Sequence, residues 1–105
     1  MVDDLDHIFK ALADPTRRQI LDMLRDGPQT TTEIVRQFPQ LSRFGVMKHM
    51  DVLREADLIV TTAKGRTREN ALNALPIRRI AERWISRFDA FWANHLLRFR
   101  EDSKR

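Results

Sequence analysis

Pro39 separates two short stripes of apolar residues, and that interruption limits the folds open to the chain more than any other feature. Before it, Ile34, Val35 and Phe38 form a short apolar face. After it, Val46, Met47, Met50, Leu53 and Ala56 recur at helical spacing and read as core. Proline ends a helix because it lacks an N–H and crowds the preceding turn. Each stripe has its own start signal. Thr30 with Glu33 three residues on makes a capping box, and Ser42 is suited to cap the second helix. Two consecutive short helices joined by a tight turn make a helix-turn-helix.

The flanking segments complete the architecture. Leu5, Ile8, Phe9 and Leu12 form one stripe of a first helix, over about residues 3–13. Asp14-Pro15 then stops and restarts the chain, since Asp14 can cap and Pro15 fits a first helical turn. Ile20, Leu21, Met23 and Leu24 give the core face of a second helix, which Gly27-Pro28 ends. After the fourth helix the rhythm changes. Leu58-Ile59-Val60-Thr61-Thr62 is rich in β-branched residues, Lys64-Gly65-Arg66 reads as a turn, and Thr67 to Leu72 returns as a strand despite Glu69, Asn70 and Asn73. This hairpin, about 58–72, is a wing. From Pro76 a helical period resumes to about residue 100. The expected fold is mainly α with a small β-hairpin (α+β): one winged helix-turn-helix domain over 1–105, in the order α-α-α-α-β-β-α.

Composition narrows the function. With 42% apolar and 32% charged residues, the chain is too apolar for disorder and too charged for a membrane protein. A net charge of +4, carried mostly by arginine, suits a polyanionic partner. A genome rich in G and C would favour arginine codons equally. Cysteine is absent, which removes disulfides, thiolate metal sites and cysteine nucleophiles. Only His7, His49 and His95 are available, and His95 has Asp89 six residues before it and no histidine three or four residues on, so no metal site is expected. No catalytic constellation or phosphate-binding glycine loop is visible, so neither an enzyme nor a cofactor is expected. The acidic start at Asp3, Asp4 and Asp6 is unlike a signal peptide, and no apolar run could span a bilayer, so the expected location is cytoplasmic, with no membrane partner.

In a winged helix-turn-helix the fourth helix enters the major groove of double-stranded DNA. Its candidate DNA-binding residues are Ser42, Arg43, Phe44, Gly45, Lys48 and His49. Arg43 can contact guanine through two bonds, and Phe44 can touch a thymine methyl or equally belong to the interface with the third helix. Ser42 suits a phosphate at a helix start. Gly45, costly within a helix, fits a close backbone approach to DNA or to the third helix. Thr31 and Thr32 can meet a phosphate at the start of the third helix, and Lys64, Arg66 and Arg68 can grip backbone or minor groove from the wing. A solvated helix face accounts equally well for Arg43 and Lys48, and a soluble hairpin tip for the wing cations.

The last helix carries five of the eight aromatic residues. A lone small domain cannot cover such a stripe. A homodimer is expected, through Leu5, Ile8 and Phe9 of the first helix and Trp84, Ile85, Phe88, Phe91, Trp92 and Leu96 of the last. Alternatively these aromatics line a small-molecule pocket.

The run Phe9-Lys10-Ala11-Leu12-Ala13-Asp14-Pro15-Thr16-Arg17-Arg18-Gln19-Ile20-Leu21 resembles the opening of the ArsR-type (ArsR/SmtB) bacterial repressors. Leu41-Ser42 through Met50, then Val52-Leu53-Arg54-Glu55-Ala56-Asp57-Leu58-Ile59, resembles their recognition helix and strand entry, and Gly65-Arg66 their wing. The resemblance implies a homodimeric repressor, joined through its first and last helices, that leaves DNA when an inducer binds; the inducer stays unknown. Metal-sensing members carry Cys-x-Cys in the third helix or His and Asp ligands on the last. Thr31 to Phe38 holds no thiol, and the last helix lacks the ligand pattern, so the chain resembles a metal-free branch. The alternative from another class is a winged-helix module that binds protein and not DNA, which would need an acidic or apolar recognition face.

Overall fold

Asp14 caps the first sharp corner of the chain. Its carboxylate accepts the backbone N–H of Thr16 at 2.8 Å and of Arg17 at 3.1 Å. With Pro15 at the first turn, this starts α2 (Pro15–Leu24) immediately after α1 (Asp6–Leu12). The computed structural model describes residues 5–85 and 90–103. Thr30 caps α3 (Thr31–Arg36) by accepting the Glu33 N–H at 3.1 Å, and its hydroxyl also meets the Glu33 carboxylate. Ser42 caps α4 (Arg43–Glu55) through the Gly45 N–H at 3.0 Å. All three caps stand where side-chain chemistry placed them.

The last carbonyls of α4 are met by backbone N–H groups. Asp57 adopts φ 58°, the left-handed region. Its N–H donates to the Arg54 carbonyl at 3.0 Å, and the Leu58 N–H reaches the Leu53 carbonyl at 2.9 Å. These two bonds, with Leu53 and Leu58 both buried, form a Schellman ending. The chain then enters β2 (Ile59–Lys64), turns at Gly65 with φ 60°, and returns as β3 (Thr67–Leu72). A two-residue hairpin turn needs positive φ at its first central position, which glycine supplies without strain.

One strand was not expected. Gln29 and Thr30 form β1, which pairs antiparallel with β3. The sheet has three strands in the order β1-β3-β2, so β3 is central. The register puts Asn70 between Gln29 on one side and Thr61 on the other.

The core is drawn from every early element. Ile8, Ala11, Ile20, Leu24, Ile34, Phe38, Val46, Met50, Leu53 and Leu58 are buried. Each fully buried large side chain contributes about 1.5–3 kcal/mol. Leu5 and Ile8 belong to this core. That corrects their assignment to a dimer surface: their face of α1 is used up within the protomer. Phe9 stays on the surface, its ring 5.6 Å from that of Trp84, which packs against the core's edge.

The last segment is not one regular α-helix. α5 (Leu75–Ile80) passes into a π-helical turn, Ala81–Ile85, and α6 spans Ala90–Ser103. Ile85, Trp92 and Leu96 are exposed. Phe88 and the side chain of Phe91 lie outside the described residues. Among the described residues, no helix is long and apolar enough to cross a membrane.

Candidate nucleic-acid interface

The N-terminal half of α4 shows two faces. Val46 and Met50 point into the core, while Arg43, Phe44, Met47 and Lys48 lie at the surface. Residues four apart are neighbours on a helix, so Arg43 lies beside Met47 and Phe44 beside Lys48. The Lys48 ammonium sits 4.7 Å from the centre of the Phe44 ring. Such a pair is worth about 0.5–1 kcal/mol at an exposed site. Met47 is 36% exposed, which corrects its reading as core: it stands at the rim of the buried stripe, facing the wing.

Between α4 and the wing runs an open groove of about 230 Å³. Thr30, Thr31, Thr32, Arg43, Met47, Arg66, Thr67 and Arg68 line it. The structure therefore brings three arginines, one from α4 and two from the wing, to one groove. Arg66 comes from the hairpin tip. Arg68 comes from β3, directly opposite Ala63. Thr32 is exposed at the head of α3.

Five candidates are engaged within the protein itself. Thr31 is buried, and its hydroxyl oxygen accepts from the Asn70 amide at 3.1 Å, so that side chain is turned inward. Lys64 is exposed, yet its ammonium is paired with Glu69 at 3.2 Å. Ser42 Oγ is engaged by the Gly45 N–H. A Cβ at position 45 would come within 3.3 Å of that same oxygen, so the glycine answers to its own helix cap and not to the third helix. His49 faces α2: its Nδ1 lies 3.2 Å from an Arg17 guanidinium nitrogen and 3.9 Å from the Asp14 carboxylate.

These contacts also act on the Asp14 carboxyl. Partial burial pushes its carboxyl up, but the Arg17 N–H, the charges of His49 and Arg17, and the Thr16 N–H outweigh that and hold it below the usual carboxylate value.

A polar relay supports the groove from below. The Asp51 carboxylate accepts from Arg54 at 2.7 Å, and Arg54 Nε donates to Thr61 Oγ1 at 3.2 Å. The Thr61 hydroxyl donates to Asn70 Oδ1 at 2.7 Å, and Asn70 Nδ2 donates to the Gln29 carbonyl at 3.2 Å as well as to Thr31. Asn70 is fully buried with both ends of its amide satisfied, as a buried amide must be. The relay ties α4, the base of the wing and the start of α3 into one unit. Met47, Arg54, Thr67 and Asn70 are among the residues that sequence reasoning did not assign to the site. Only Asn70 left a signal, as a polar residue in the middle of a strand.

Comparison with known proteins agrees with this geometry. A helix-turn-helix domain family matches residues 12–62. The chain is 36% identical over 69 residues to the transcriptional repressor SdpR of Bacillus subtilis, covering 66% of this chain and 76% of that one. It is 33% identical over 91 residues to the HTH-type transcriptional regulator Rv2034 of Mycobacterium tuberculosis, covering 87% and 80%. Among solved structures it is similar to the ArsR family transcriptional regulator RHA00566, with TM-score 0.75, 35% identity, and coverage of 87% of this chain and 98% of that one.

Proposed function

This chain belongs to the ArsR-type family of helix-turn-helix transcriptional regulators, and on that premise we propose that it is a cytoplasmic repressor that binds a pseudo-palindromic operator as a homodimer. It is a DNA-binding transcriptional regulator. In the proposed complex α4 enters the major groove, Arg43 contacts a guanine, and Arg66 and Arg68 hold the wing to the backbone or minor groove. Thr32 meets a phosphate at the head of α3. Two protomers, joined through Phe9 and the exposed aromatic face of α6, set two recognition helices about 34 Å apart, one turn of DNA.

The observation that carries this reading is the convergence of Arg43, Arg66 and Arg68 on one groove, none of whose eight lining residues is acidic. A protein-interaction module would present an acidic or apolar face there. A titration of labelled duplex from the protein's own promoter region, at rising salt, tests the proposal. Neutralising each phosphate gives a slope of about −0.9 in log affinity against log salt, so tight binding that weakens steeply is expected. Binding indifferent to salt would overturn it.

A further inference from the structure

We infer that Phe44 and Met47 form a reader for the C5-methyl group of a pyrimidine in the major groove, set beside the guanine contact of Arg43. The inference rests on the proposed docking of α4.

Of the large apolar side chains on the first two turns of α4, these two are the exposed ones: Phe44 at 68% and Met47 at 36%. They stand three residues apart, so they adjoin on the helix surface. Arg43 and Lys48 flank them, and the Lys48 ammonium lies over the Phe44 ring. Two cations on either side draw a polyanion onto this surface. An apolar pair between them gains nothing from a phosphate and would strip water from it. The base edges of the major groove offer one apolar feature, the methyl on C5 of thymine. 5-Methylcytosine carries the same group on the same carbon. The flat ring of Phe44 and the adaptable thioether of Met47 suit a small rounded methyl.

The spacing adds a constraint. Arg43 and Met47 are one turn apart, a rise of about 6 Å at 1.5 Å per residue. Base pairs rise about 3.4 Å, so the methyl lies within about two base steps of the guanine. The half-site therefore combines a guanine with a nearby methylated pyrimidine.

The test uses the full-length chain and a duplex it selects from a random-sequence pool. Each thymine is replaced in turn by deoxyuridine, which deletes only the methyl, and each cytosine by 5-methylcytosine, which adds it. Removing a buried methyl is expected to weaken binding about fourfold. If thymine is the source, one uracil per half-site does this. If 5-methylcytosine is the source, methylation tightens binding by a similar factor and no uracil matters. Phe44→Ala and Met47→Ala are expected to abolish the response, and Lys48→Ala to keep it. Affinity unmoved by either replacement overturns the inference, and so does the full response surviving in both apolar variants. If no duplex is selected at all, the docking of α4 falls, and the methyl reader with it.

Discussion

Arg17 Nε donates to the Ala11 carbonyl at 2.7 Å, across the corner between α1 and α2. The same guanidinium reaches the Lys10 carbonyl at 3.0 Å, and Arg18 takes the Leu12 carbonyl at 2.7 Å. The last carbonyls of a helix have no partner within it. Here the next helix supplies them. The Ala-Asp-Pro-Thr-Arg-Arg run is thus a two-way clasp: Asp14 satisfies the start of α2, and the two arginines satisfy the end of α1. Arg17→Ala is expected to lower stability by roughly 1–3 kcal/mol, the worth of charge-assisted bonds. Arg17→Lys should recover less than half, because one ammonium cannot match the fork. Urea unfolding with an unchanged slope reads both.

Asp14 should make part of that stability depend on pH. Its folded-state value is lowered, so as pH falls the unfolded chain takes up the proton first. The contribution is complete above the ordinary carboxylate range and is lost as pH falls through the lowered value. Asp14→Ala is expected to cost about 1 kcal/mol at neutral pH, with the gap to the parent closing in acid. Asp14→Asn should keep much of the cap and lose the pH dependence. Urea midpoints at several pH values decide the matter; a constant gap for Asp14→Ala would contradict it.

Asn70→Leu removes the bridge at the centre of the sheet. It strands the Thr31 hydroxyl and leaves Thr61 without its acceptor. Unsatisfied buried groups cost about 1–3 kcal/mol each, so a loss of roughly 2–4 kcal/mol is expected. Because β1 is two residues long and β2 six, the amides of β1 should exchange with solvent faster than those of β2. Hydrogen exchange on the variant checks this.

Arg43→Ala and Arg66→Ala should fail differently on DNA. The first is expected to lose about 1–3 kcal/mol of discrimination at one base pair. The second should weaken all sequences alike and reduce the salt slope by about 1. Competition titrations with matched and mismatched duplexes separate the two, and identical behaviour would show that the roles are misassigned.

Trp92→Glu tests the proposed dimer. Trp92 is half exposed on α6, along with Leu96, Leu97 and Phe99. A buried, unpaired carboxylate in such an interface is strongly unfavourable. Sedimentation is expected to report a dimer for the parent and a monomer for the variant; an unchanged profile would place the interface elsewhere.

The features legible in the sequence are those written in local chemistry. Asp14, Thr30 and Ser42 cap helices because a short side-chain oxygen reaches an N–H two or three residues on, and that needs no knowledge of the rest of the fold. The hairpin followed from β-branched residues around Gly65. What escaped depends on distant partners. β1 is two residues long, too short for any periodicity, and exists because β3 lies alongside it. His49 reads from sequence as a DNA-facing polar residue, whereas the fold sets Arg17, 32 positions away, beside it. Thr31 reads as a phosphate ligand, whereas Asn70 binds its hydroxyl. Met47 has the right spacing for the core but lies at the edge of the stripe, where helical period alone cannot tell inside from rim. The π-helical turn after Ile80 leaves the apolar pattern almost unchanged, so the segment read as one α-helix.

Asp57 makes no contact with the groove, yet it is where α4 ends and the chain turns toward β2. Its left-handed torsion, fastened by Asn73 Nδ2 on its carbonyl at 2.8 Å, sets the direction in which the strand departs. The helix carries Arg43, and the hairpin that follows carries Arg66 and Arg68. A single backbone rotation therefore acts as the hinge pin of a calliper whose two jaws are the recognition helix and the wing. On the proposed docking, the width of duplex the jaws accept is gauged at a residue outside the groove's lining.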